Sequence, residues 1–118
     1  MNIISLYGQA LTGKGEKSID IIIDNKKDFR NRNDFLEMVS DALELYEPIT
    51  FTSESKEISK DEFTNYCIWK WINKKNVELE FDKYDRYFVV FDNIPNDGIA
   101  LLAESDSMYF FTWFFDAG

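Results

Sequence analysis

The sequence predicts an α+β fold, a mostly antiparallel sheet with two amphipathic helices in one two-layer domain. Three observations lead there: two segments repeat their apolar residues at helical spacing, several short segments are β-branched or alternate, and turn chemistry punctuates the second half. At 118 residues the chain is one domain, Met1 to Gly118, with no internal repeat and no linker composition to divide it.

Ile3 to Tyr7 and Ser18 to Asp24 have strand character and flank Thr12-Gly13-Lys14-Gly15-Glu16, which reads as a hairpin turn. Asn25 to Arg32 holds Lys26, Lys27, Arg30 and Arg32, the clearly basic segment of the chain, and reads as a solvated connection. From Asn33 the period becomes 3.6. Phe35, Leu36, Met38, Val39, Ala42, Leu43 and Tyr46 share one arc, and Asp34, Glu37, Asp41 and Glu44 form an acidic ridge opposite. Asn33 is the expected N-cap and Pro48 the stop.

Ile49 to Ser53 alternates as a short strand would, with Ile49 and Phe51 facing the same way. Ser59-Lys60-Asp61-Glu62 then matches a capping box, with Ile58 and Phe63 as its hydrophobic staple, so a second helix starts there. Its expected inward seam is Phe63, Cys67, Ile68, Trp71 and Ile72, with Tyr66 and Trp69 off the seam. Val77 to Phe81, Tyr87 to Phe91, Ile99 to Ala103 and Met108 to Phe115 form a C-terminal four-strand meander, turning about Asn93 to Gly98 and Ser105-Asp106-Ser107. Tyr87 to Phe91 is apolar on both faces and is expected to be central. Both helices are expected to cover one face of the sheet.

Composition narrows the chemistry. The chain has no histidine, which removes the commonest general base and metal ligand, along with Ser-His-Asp and Cys-His sites. One cysteine, Cys67, forms no disulfide framework and fits a reducing, cytoplasmic setting as a small core residue. Thr12 to Gly15 lacks the spacing of a phosphate loop. Asp92 with Asp97 and Glu104 with Asp106 are the candidate carboxylate pairs, but neither forms a recognised catalytic or cation-binding loop. The Met1 to Gly8 start has no secretory pattern, and no stretch approaches the roughly 18 apolar residues of a membrane span. No enzyme activity, cofactor, metal or membrane partner is therefore expected.

Charge is the positive clue. With 22 acidic against 13 basic side chains the net charge is −9, which disfavours direct nucleic-acid binding and favours a basic protein partner. The expected contact residues are Asp34, Glu37, Asp41 and Glu44, with Tyr66 and Trp69 as aromatic anchors. In overall character, small, acidic, histidine-free and cysteine-poor, the chain resembles the immunity proteins that bacteria pair with secreted toxins, including those of contact-dependent growth inhibition. That resemblance implies an inhibitor that blocks the active site or substrate groove of a basic toxin, often a nuclease. The alternatives are a nucleic-acid mimic directed at a defence nuclease, of the anti-restriction or anti-CRISPR kind, and a carboxylate-based enzyme.

Overall fold

The computed structural model describes residues 2–7, 17–45, 47–69, 81–93 and 98–116. Among them the chain forms β1 (Asn2–Tyr7), β2 (Lys17–Asn25), α1 (Arg32–Ala42), β3 (Lys56–Ile58), α2 (Lys60–Trp69), β4 (Arg86–Asn93), β5 (Gly98–Glu104) and β6 (Met108–Asp116), with short 3-10 turns at Lys26–Asp28 and Phe81–Lys83. The fold class is α+β, as the sequence predicts. All six strands join one sheet in the order β1-β2-β6-β5-β4-β3, and every pairing is antiparallel.

The N-terminal hairpin and the C-terminal strands thus meet side by side, β2 running along β6 from Lys17↔Asp116 to Asn25↔Met108. The β5–β6 turn is the one expected. Ser105 N–H donates to the Met108 carbonyl at 3.0 Å, and the Ser105 hydroxyl accepts the Met108 N–H at 3.1 Å. Three strands of the expected meander are present. Of its first, Val77 to Phe81, only Phe81 is among the described residues, in a 3-10 turn; the neighbour of β4 along Tyr87 to Val89 is β3.

Strand parity sorts the buried side chains into two sets. Ile21, Tyr87, Val89, Ile99, Leu101, Ala103 and Phe110 pack with Phe63 of α2 on one face. Ile22, Phe88, Val90, Ala100, Leu102, Tyr109 and Phe111 pack with Phe35, Leu36 and Val39 of α1 on the other. The helices therefore divide between the faces instead of sharing one, and a helix-on-sheet pair of layers forms on each side. This explains why β4 and β5 carry apolar residues without alternation: both of their faces are dry.

Local chemistry fixes both helix starts. The capping box holds at α2, where Glu62 N–H donates to the Ser59 hydroxyl at 3.1 Å and Ser59 N–H to the Glu62 carboxylate at 3.3 Å. The staple partners Ile58 and Phe63 lie in one cluster. Of the expected inward seam of α2, the side chains beyond Phe63 lie outside the described residues. At α1 the cap is Asn31, not Asn33: the Asn31 side chain accepts the Asp34 N–H at 2.9 Å. Asn33 instead holds the return segment, its side-chain oxygen accepting the Phe51 N–H at 2.8 Å. Nearby, the buried Ser40 hydroxyl donates to the Leu36 carbonyl at 2.7 Å and accepts the Ile49 N–H at 2.8 Å. Ile49 to Ser53 is thus tied down by side chains and is not a strand, although Ile49 and Phe51 do point into the same cluster.

Candidate functional site

The structure divides the carboxylates into neutralised and unneutralised groups. The most heavily neutralised is Glu104, the last residue of β5, which is only 4 % exposed. Arg32, the first residue of α1, grips it with two hydrogen bonds, Nε to Oε2 at 2.8 Å and Nη2 to Oε1 at 2.7 Å. Lys26 Nζ and Arg86 Nη1 stand at 3.9 Å from the same carboxylate. Arg86 in turn grips Glu57 at 2.9 and 3.1 Å, and the Phe88 ring lies under the Arg32 and Arg86 guanidinium groups at 4.5 and 5.1 Å. Lys26 also donates to the Ser105 carbonyl at 3.2 Å.

This network contradicts the expectation that Asn25 to Arg32 is merely a solvated connection. A cation at the first position of a helix opposes the helix dipole by roughly 0.3–1 kcal/mol. Arg32 is tolerated there because a forked charge-assisted pair to a buried carboxylate is stronger than that. The pair anchors the N-terminus of α1 to the sheet and so fixes how the rest of the helix is presented.

Burial pushes the Glu104 carboxyl up, but the Arg32 hydrogen bonds and the fields of Arg32, Lys26 and Arg86 outweigh burial and leave it below the ordinary value of 4.5. A depressed carboxylate stabilises the fold above its unfolded pKa, and that contribution is lost as pH falls through the folded value. The expected result is a chemical-denaturation stability that drops as pH is lowered below about 4.5, with a shallower drop in Glu104→Gln. An identical acid limb in that variant contradicts the assignment. A depressed pKa is the reverse of what a general acid requires, so Glu104 does not suit that role. Of the other pair, Asp92 is exposed and Asp97 lies outside the described residues.

The predicted contact residues fall into three situations. Asp34, half-buried in the first turn of α1, accepts the Arg30 N–H at 2.9 Å and faces the Arg30 guanidinium at 3.9 Å; it is a helix-start residue already engaged. Glu37 and Asp41 are exposed, lie one turn apart along α1, and make no ion pair among the described residues. Glu44 is exposed and likewise makes no ion pair among the described residues, but it lies beyond the helix, which ends at Ala42 with Leu43 as C-cap.

Leu45 N–H bonds back to the Ser40 carbonyl at 3.0 Å and Glu44 N–H to the Asp41 carbonyl at 3.1 Å, the paired bonds of a Schellman ending. Glu44 occupies the left-handed position of that motif, with φ at 54°, where glycine is favoured. No basic residue lies in the last turn of α1. Asp41 and Glu44 consequently place negative charge at the negative end of the helix dipole, where it destabilises. Glu44→Gly is expected to raise stability by about 1 kcal/mol in a denaturant titration, from relief of the left-handed strain and of this repulsion. An unchanged midpoint contradicts that reading of the helix end.

Tyr66 is half-buried on the opposite face of the sheet, against the α2 cluster. Burial raises its hydroxyl pKa first, and the neighbouring Asp92, its hydrogen-bond partner, raises it further. The side chain of Trp69 lies outside the described residues. Tyr66 therefore belongs to a different surface from Glu37 and Asp41, and the six predicted residues do not form one patch. Sequence reasoning missed Arg32, whose signal was a cation in the first turn of a helix with no acidic residue one turn along to balance it.

Among the described residues no group of three or more His, Cys, Asp or Glu is placed to hold a metal ion, and no helix is long and apolar enough to cross a membrane. No family model matches the chain, and neither the curated proteins nor the solved structures contain a match to it.

Proposed function

We propose that this protein is a cytoplasmic inhibitor that binds a basic protein partner, a toxin domain of the nuclease kind, and blocks its active site or substrate groove with carboxylates. It acts by binding and not by catalysis, and it contacts neither nucleic acid nor membrane directly. The contact face is the outer arc of α1 with its C-terminal turn, centred on Glu37, Asp41 and Glu44.

One observation carries this reading. Several carboxylates are neutralised within the fold, among them Asp34, Glu57, Asp82 and Glu104. Glu37, Asp41 and Glu44 are exposed, unpaired among the described residues, and in part set where the helix dipole and backbone disfavour them. Residues that cost the fold and do nothing for it are candidates for a role outside it. An α-helix anchored at its N-terminus by Arg32 presents such charges in a fixed geometry, which limits the ordering cost on binding.

The test is capture followed by inhibition. The immobilised protein is exposed to its native lysate and to the purified product of the adjacent gene, and bound protein is released with salt. Recovery of a basic nuclease whose activity is blocked one-to-one by the wild type, and much less by Glu37→Lys with Asp41→Lys, supports the proposal. A partner held and inhibited equally well by the double variant removes α1 as the contact face.

A further inference from the structure

The two edges of the sheet are built differently. At one edge β3 is three residues long, exposes Lys56 and Glu57, and gives way to Ser55, whose hydroxyl donates to the Val90 carbonyl at 2.8 Å. Shortness, charge and side-chain cover are the devices that keep a sheet edge from pairing with another chain. At the other edge β1 is neither short nor charged. It runs six residues in unbroken register with β2, from Asn2↔Ile23 to Tyr7↔Ser18, without a bulge. The segment Asn-Ile-Ile-Ser-Leu-Tyr contains no charge and no proline. Among the described residues no strand lies outside it.

We propose that β1 pairs antiparallel with β1 of a second copy across a two-fold axis normal to the sheet, joining the two sheets into one continuous sheet. The symmetry limits the register, because the same face of both copies is matched only when residues of equal parity stand opposite. An axis at Ile4 sets Asn2 against Leu6 and Ile3 against Ser5. An axis at Ser5 sets Ile3 against Tyr7 and Ile4 against Leu6, apolar against apolar at both pairs the strand forms about the axis, and this is the register assigned.

Self-complementarity about Ser5 points to a second copy as the occupant, and charge permits it. Two chains of net charge −9 repel wherever their carboxylates meet, and Asn2–Tyr7 is a stretch where neither brings any. A cationic partner of the kind proposed above gains no carboxylate there. The inference is independent of that proposal, since its outcome is read without any partner.

The test is the mass of the full chain in solution, by sedimentation and light scattering across roughly 1 to 500 µM, the range in which association is concentration-dependent. Wild type is expected to rise from 13.9 kDa toward twice that mass. Ser5→Lys places a lysine opposite Asp20 in its own chain, a pairing the fold accepts, but opposite another lysine at the two-fold axis. It is expected to remain at 13.9 kDa with an unchanged far-ultraviolet spectrum, while Ser5→Thr associates as wild type does. Wild type that stays at 13.9 kDa throughout, or a folded Ser5→Lys that doubles its mass, overturns the proposal. If Ser5→Lys fails to fold, amide exchange of β1 in the wild type decides: slower exchange at high concentration upholds the pairing, and equal exchange at both concentrations rejects it.

Discussion

Arg32→Ala is expected to destabilise the protein by about 3 kcal/mol, which for a domain of this size lowers the melting temperature by about 12 °C. The reason lies in what remains. Glu104 stays buried, and its nearest cations are then Lys26 and Arg86, both at 3.9 Å, beyond hydrogen-bond reach. A buried carboxylate stripped of its forked partner bears most of its desolvation cost uncompensated. The guanidinium also lies over the rings of Phe51 and Phe88, at 5.0 and 4.5 Å, so packing is lost together with charge. Replacing both partners, Arg32→Leu with Glu104→Leu, is expected to return stability to within about 1 kcal/mol of wild type, because no charge is then left buried. The Arg86 and Glu57 pair is the contrast: both side chains are about half exposed, and its loss is expected to cost below about 1 kcal/mol. A comparably small loss for Arg32→Ala, measured by denaturant titration, contradicts the anchoring role given to it.

Charge reversal on α1 is expected to do the opposite, leaving the fold alone and impairing recognition. Glu37 and Asp41 are exposed, and Glu37→Lys with Asp41→Lys removes no ion pair among the described residues. A lysine at position 41 lies near the negative end of the dipole and favours the helix by a few tenths of a kcal/mol, about 0.3. Stability is expected to stay within about 0.5 kcal/mol of wild type. The association rate with a basic partner is expected to fall roughly tenfold or more at low salt, since steering as a whole is worth about 10- to 1000-fold. Loss of stability as large as that of Arg32→Ala would show that these two carboxylates serve the fold.

How much of this was legible in the sequence varied with the range of the forces involved. The capping box at Ser59 and Glu62 depends on neighbours in the chain, and the sequence alone shows it. The start of α1 lies two residues before the expected one, because Asn31 and Asn33 are equally good caps and the apolar period begins only at Phe35. Ile49 to Ser53 mimicked a strand because Asn33 and Ser40 bind its backbone with side-chain atoms, a tertiary arrangement without local signature. The strand order and the placing of one helix on each face depend on pairings between residues about a hundred positions apart, such as Lys17 with Asp116. A sign of the second was nevertheless visible, since Tyr87 to Phe91 is apolar on successive residues and a strand of that kind needs cover on both faces. On α1 the exposed positions Glu37 and Asp41 follow from the helical period. The burial of Glu104 does not, because a carboxylate beside Ser105 and Asp106 looks the same in sequence whether it caps a turn or meets an arginine from across the fold.

Glu37, Asp41 and Glu44 are proposed to attract a cationic surface, and the association rate constant with the captured partner, measured by stopped flow as ionic strength is raised, reads this directly. A steered encounter predicts a rate that falls steeply with salt in the wild type, while the dissociation rate changes little, and a nearly flat dependence in Glu37→Lys with Asp41→Lys. A wild-type rate that is indifferent to salt, or the same steep dependence in both proteins, would contradict it.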